Sequence, residues 1–170
     1  MKQKTSFLSV CLLLFVMLVC NSCGIFEGKP LTPFTELDFD STVGDMLEAY
    51  GETNEININE EEGLTEYFYR YEHEGRTGQL RFSVNSEDKI ERISWIYQPS
   101  AAEEVVACAE EWGTLFTDTY GEPDFENPAG KVWYTPRANI GIFRVSILSN
   151  NIVRIMFYPP AEQETSNVTQ

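Results

Sequence analysis

Arginine and serine stand two positions apart three times in this chain: Arg81 with Ser83, Arg92 with Ser94, and Arg144 with Ser146. On an extended strand that spacing sends both side chains to one face. A guanidinium is a planar fork of five donors matched to a carboxylate, and a neighbouring hydroxyl adds one more donor. Arg70 and Arg154 take comparable polar positions, so five of the seven arginines project from predicted strands toward one side. Phe68, Ile96, Ile142, Met156 and Tyr158 fall on the same predicted face, where they add apolar area around the polar anchors. Two readings fit this pattern. In one, the face docks a protein or a polar ligand. In the other, the arginines only keep an open sheet soluble and pair with Glu66 and Glu72, contacts that contribute little when exposed.

Other chemistry finds little purchase. His73 is the single histidine, and Glu72-His73-Glu74-Gly75 reads as a hairpin turn in which it is solvated rather than catalytic. No nucleophile-elbow serine accompanies it, and no His/Cys cluster has zinc spacing. Asn57, Asn59 and Glu61 alternate like part of a calcium loop, but Glu62 stands where that loop needs glycine. Glu60-Glu61-Glu62 is then an exposed acidic turn, and Glu103-Glu104 and Glu110-Glu111 a solvated helix face. A glycan hydrolase needs two carboxylates across one cleft, a separation that sequence does not reveal. The expectation is a non-enzymatic binding protein with no cofactor and no metal.

The N-terminus carries an address. Lys2 and Lys4 precede an uncharged apolar run over 7–19, too short for a comfortable membrane span. Ser22 then precedes Cys23. This is the layout of a secretory signal, and the small residue before a cysteine resembles the signal of bacterial lipoproteins. The resemblance implies cleavage after residue 22 and acylation of Cys23, giving a membrane anchor. Gly24 resembles signals that permit transfer to the outer membrane. Cys11 and Cys20 leave with the signal and Cys23 goes to lipid, so Cys108 is the remaining thiol and no internal disulfide forms. The mature chain holds ten basic side chains against 27 acidic ones, a net charge of −17, because the signal contains Lys2, Lys4 and no acid. Such a surface repels nucleic acid. A rival reading follows from the same charge: an acidic inhibitor or scavenger of a cationic enzyme, working through 60–62 and the helix faces.

Positioning falls to two helices and two sets of strands. In the second helix Val105, Cys108, Ala109, Trp112, Leu115, Phe116 and Tyr120 recur at helical spacing, Ser100 and Glu103 are placed for a capping box, and Gly121 and Pro123 end it. The first runs from a Ser41 or Thr42 cap through Val43, Met46, Leu47 and Tyr50 to Gly51. Alternation predicts strands over 65–72, 79–84, 90–97, 131–135, 140–148 and 152–158, with Ser149-Asn150-Asn151 as the last turn. The inward sets are Tyr67, Tyr69 and Tyr71; Leu80, Phe82 and Val84; Ile93, Trp95 and Tyr97; Phe143, Val145 and Ile147; and Val153, Ile155 and Phe157.

Both helices end in the same triplet, Tyr50-Gly51-Glu52 and Tyr120-Gly121-Glu122. The stretch from Val43 to Glu52 resembles the helix-to-glycine turn of the small outer-membrane assembly lipoproteins, and the tandem layout is similar to β-lactamase-inhibitor-protein-like domains. That resemblance implies an α+β fold, an antiparallel sheet with helices on one face, built from two helix-plus-three-strand repeats, and a non-catalytic binding module. The expected map is a signal over 1–22, a lipidated tether over 23–35, a binding domain over 36–160 with repeats 36–98 and 99–160, and a disordered tail over 161–170. The expected partners are the membrane, through the lipid, and an envelope protein or polar ligand.

Overall fold

The computed structural model describes residues 30–53, 55–148 and 150–160. Helix α1 (Val43–Tyr50) starts at Thr42, whose hydroxyl oxygen accepts from the Asp45 N–H while the Asp45 carboxylate accepts from the Thr42 N–H. That reciprocal pair satisfies two orphan donors of the first turn. Helix α2 (Ala102–Tyr120) has Ala101 at its N-cap and no side-chain cap. The expected Ser100–Glu103 box is not formed, because the helix begins one residue later and Glu103 is no longer its third residue. Glu104 instead accepts from the Tyr97 hydroxyl at 2.9 Å.

Among the described residues eight strands follow the helices: β1 (Ile56–Asn59), β2 (Leu64–His73), β3 (Arg76–Val84) and β4 (Ile90–Tyr97) after α1, then β5 (Phe125–Asn127), β6 (Gly130–Tyr134), β7 (Asn139–Ile147) and β8 (Asn150–Tyr158) after α2. They form one sheet in the order β1-β2-β3-β4-β8-β7-β6-β5, and every neighbouring pair is antiparallel. The class is α+β. Each helix is followed by four strands rather than the expected three. The extra ones, β1 and β5, are short edge strands in stretches whose Asn and Glu content reads as loop.

Both helices lie on one face of the sheet. From α1, Tyr50 packs on Phe82 and Tyr69. From α2, Trp112 packs against Trp95, and Phe116 against Phe157 and Trp133. The ladder brings Tyr67, Phe82, Ile93, Phe157, Ile140 and Trp133 side by side beneath them. The β3–β4 ladder shifts register between Ser83 and Val84, so Ile90 and Ile93, three apart, both reach the core.

The packed unit begins at Leu31. Leu31, Thr32, Phe34 and Thr35, expected in the tether, are buried. Phe34 stacks on Trp95 at 5.7 Å between ring centres and touches Trp112 at 5.2 Å. A core-seeking phenylalanine outweighs the two prolines before it, Pro30 and Pro33, as a guide to where the fold starts. The expected signal, Cys23 and the tail over 161–170 lie outside the described residues.

Candidate functional site

The sheet face away from the helices carries the residues singled out for chemistry, with one inversion. Antiparallel pairing aligns Glu66, Ser83 and Arg92 in one cross-strand row, and Phe68, Arg81, Ser94 and Met156 in the next. A third row holds Arg70, Gln79, Ile96, Arg154 and Phe143. Arg144 and Ser146 are not on this face. The β7–β8 turn is two residues long, pairing Ile147 with Asn150 and Arg144 with Val153, so the pair joins the helix side. Reading the turn as three residues slips the register by one and flips every side chain of the strand. Ile140 and Ile142 are therefore the buried pair, in place of Phe143, Val145 and Ile147, while Ile147 is 65% exposed. Arg144 Nε donates to the Pro128 carbonyl at 2.9 Å, and the Ser146 hydroxyl donates to Asn151 at 2.6 Å.

Arg81 is not an outward-looking docking group. It is 6% exposed, and its Nη1 lies 2.8 Å from Oε1 of Glu66, itself 5% exposed. The other carboxylate oxygen of Glu66 accepts from Asn57 Nδ2 at 3.1 Å. Arg92 pairs with Glu62 at 3.1 Å and keeps some exposure. Arg154 lies close enough to feel both Glu66 and Arg92. Burial, then the neighbouring Arg154, pulls the Arg81 guanidinium below the usual arginine range despite Glu66. Burial does the same to Arg154. Both remain cations, since arginine does not lose its proton in proteins. The group thus sets three guanidiniums against two carboxylates in a chain of net charge −15.

Ser83 and Ser94 are wholly buried. Among the described residues, the buried side-chain polar atoms without a hydrogen-bond partner are Arg81 Nε and Nη2, Arg154 Nε, the Ser83 and Ser94 hydroxyls, and the Trp95 indole nitrogen. All but the last sit on this face, on β3, β4 and β8. Buried polar groups are ordinarily satisfied, so five unpartnered atoms on one face depart from the rule.

The rim is accessible. Arg70 is exposed and, with Glu55, Thr77, Gly78, Gln79, Ile96 and Gln98, lines a shallow cleft of about 410 Å³. Gln79 Nε2 donates to Glu55 Oε1 across it at 3.0 Å. On the β5–β8 half the same face presents Phe125 and Tyr134, 53% and 63% exposed, beside the partly buried Phe143, Met156 and Tyr158. Phe125, Tyr134 and Phe143 were not in the sequence-derived set. Correct strand parity on β7 would have placed Phe143 there; Gly141 gives its ring room, and Gly130, opposite it, lets the β7 backbone come close.

His73 is half-buried rather than fully solvated. It ends β2, stacks on Trp112 at 5.2 Å, and meets the edges of Phe34 and Trp95. Burial lowers its pKa, with Glu74 pulling the other way. Cys108 is buried, as expected of a residue on the apolar stripe, and burial pushes its thiol up to about 11. Among the described residues no group of three or more His, Cys, Asp or Glu gathers as for a metal, and no helix is long and apolar enough to cross a membrane. Protein-family models, curated proteins and solved structures offer no match to this chain.

Proposed function

We propose that this chain is a non-enzymatic lipoprotein of the bacterial envelope that binds a protein through the sheet face its helices leave open. The observation that carries the reading is the composition of that face: half-buried Arg92 and Arg154 beside exposed Phe125 and Tyr134, with Met156 and Tyr158 between. Arginine, tyrosine, phenylalanine and methionine are the side chains enriched where interfaces concentrate their energy. Arg81 and Glu66 form the buried floor, and Arg70 with the adjoining cleft the polar rim. The anchor would be Cys23, through the lipoprotein-like signal, and a Cys23→Ala chain is expected to leave the membrane fraction.

The two halves support descent from one helix-plus-strands unit. The strand order is mirrored about the central β4–β8 pair. Gly51 and Gly121 close their helices alike, donating to the Leu47 and Thr117 carbonyls. The carbonyl of Gly51 accepts from the Tyr69 hydroxyl, and that of Gly121 from the Trp133 indole, both at 2.9 Å. A tandem sheet of this kind presents a face twice as wide as one unit alone, which suits a protein partner better than a small ligand.

The test is crosslinking in native membranes with the full chain and an Arg92→Glu, Tyr134→Ser double variant. Loss of one partner by tenfold or more supports the reading. Equal crosslinking by both chains overturns it, and so does loss caused equally by Leu115→Ser on the opposite, helical side.

A further inference from the structure

The β7–β8 hairpin ends in aliphatic side chains that the fold does not use. Leu148 is 100% exposed and holds a φ of 58°. Tight hairpin turns favour Asn or Gly at that backbone geometry, and a wholly exposed leucine gains no packing there. Ile147 and Val145, on the open face behind it, are 65% and 41% exposed, and Ile152 lies directly across from Val145. No charge falls between Arg144 and Arg154, in a chain of which 23% is charged. Exposed isoleucines elsewhere are guarded: Ile56 and Ile58 on β1 stand between Glu55 and Glu60. The Ser146 hydroxyl donates to Asn151, and Asn151 Nδ2 to the Ser100 carbonyl, so the tip stands on a braced stem.

The tip lies at the end of the sheet where the chain enters. The ladder pairs Tyr71 with Gly78, Tyr97 with Val153 and Val153 with Arg144, which puts the β2–β3 and β7–β8 turns at one end. Phe34 packs on Tyr71 and His73 near that end. The chain then runs to Thr42, which bridges to Lys89 at the other end. From Cys23 to Leu31, where the packed unit begins, is eight residues, a reach of about 28 Å at full extension.

We propose that Val145, Ile147 and Leu148 settle into the headgroup layer of the bilayer that holds an acylated Cys23, and so set the tilt of the sheet. This rests on the lipoprotein reading of the N-terminus and is independent of the docking face. A tether of that length keeps the entry end of the sheet within reach of the lipid. Aliphatic side chains gain there by leaving water, as the apolar face of an interfacial helix does. A patch of this kind, uncharged and clustered, is what separates a contact surface from scattered exposed aliphatics. Exposed Glu72, Glu74 and Glu104 flank the same end, so the surface that suits it is zwitterionic; anionic headgroups would repel them.

The experiment reconstitutes the full chain, made in a bacterial host, into phosphatidylcholine vesicles whose acyl chains carry bromine near the headgroup. Tryptophan quenching is read in the parent, Leu148→Trp and Ile58→Trp chains. Trp95, Trp112 and Trp133 are buried, so the parent gives the background. Ile58 is as exposed as Ile147 but lies at the far end of the sheet, in the row of Thr65 and Val84. Both substitutions are at exposed sites, and an unchanged thermal midpoint shows that each chain folds. The tryptophan at 148 is expected to be quenched at least twofold, and the one at 58 not measurably. Equal quenching at the two positions, or none at 148 in a chain that floats with the vesicles, overturns the tip contact and leaves the anchor standing. A chain that does not float removes the anchor, and the tip contact with it. No quenching at 148, joined to partner loss when Ile147→Ser, Leu148→Ser is crosslinked in native membranes, overturns the lipid contact and gives the patch to a protein.

Discussion

Arg81 and Glu66 face each other across β2 and β3 with 2.8 Å between Nη1 and Oε1, and both side chains are almost wholly out of water. Taking two charges from water costs several kcal/mol per ion, and their attraction returns that only with good geometry and further hydrogen bonds. Glu66 has those bonds; Arg81 does not. The pair is thus better suited to fixing the register of the first three strands and holding a cation under the open face than to adding stability.

Breaking one partner is expected to be far worse than removing both. Glu66→Ala strands a buried guanidinium beside Arg154 and should cost about 3–5 kcal/mol in urea unfolding, while Glu66→Leu with Arg81→Met should be neutral or stabilising by about 1–4 kcal/mol. A loss below about 1 kcal/mol for Glu66→Ala would mean the pair is solvated after all.

His73 gives the fold a pH dependence of definite sign. Its folded pKa lies below the ordinary 6.5 because Trp112, Trp95 and Phe34 shield it from water, outweighing Glu74 and Glu111. The unfolded chain then binds the proton more readily. The contribution of neutral His73 is complete above about pH 6.5 and declines as pH falls from there through the depressed folded value. Urea midpoints between about pH 7.5 and 5, a window above the ordinary carboxylate range, should fall for the parent chain. A His73→Gln chain should lose that slope, and an unchanged slope would refute the assignment.

How much of this was legible in the sequence depends on what each position had to decide. Leu80, Phe82 and Val84 alternate cleanly with Arg81 and Ser83, so their faces were readable. On 140–147 both parities are apolar, Ile140 and Ile142 against Phe143, Val145 and Ile147, and only the turn length breaks the tie. Leu148, an unexpected turn residue with φ of 58°, hid that length. Outwardness was readable for Arg81, but not burial, since burial depends on Glu66 from another strand and on its row neighbours Phe68 and Ser94. His73 looked solvated because four of its aromatic neighbours come from the N-terminal segment, β2, β4 and α2, which local sequence cannot bring together.

Gly51 and Gly121 should respond as a matched pair. Their φ, ψ values of 77°, −175° and 90°, −171° lie in a region open almost only to glycine. Nothing crowds a Cβ at either position, so the cost of alanine is backbone strain alone. Gly51→Ala and Gly121→Ala should each lose about 1–3 kcal/mol in unfolding experiments. A large loss at one and none at the other would argue that the two helix ends are not equivalent.

Phe34 separates the tether from the fold. Its ring is 3% exposed and meets Tyr71, His73, Trp95, Trp112 and Phe157, so five side chains from four elements lose a neighbour when it is cut back. Phe34→Ala should cost about 3–5 kcal/mol, as expected for a phenylalanine removed from a packed interior. Pro33→Ala, one residue away and exposed, should stay within about 0.5 kcal/mol of the parent. The cavity also admits water beside His73, so its pKa in the Phe34→Ala chain should rise toward 6.5, read by NMR titration of the imidazole. Stability unchanged by Phe34→Ala would return residues 31–35 to the tether. A large loss without movement of the His73 pKa would keep Phe34 in the core but remove it as the shield of the histidine.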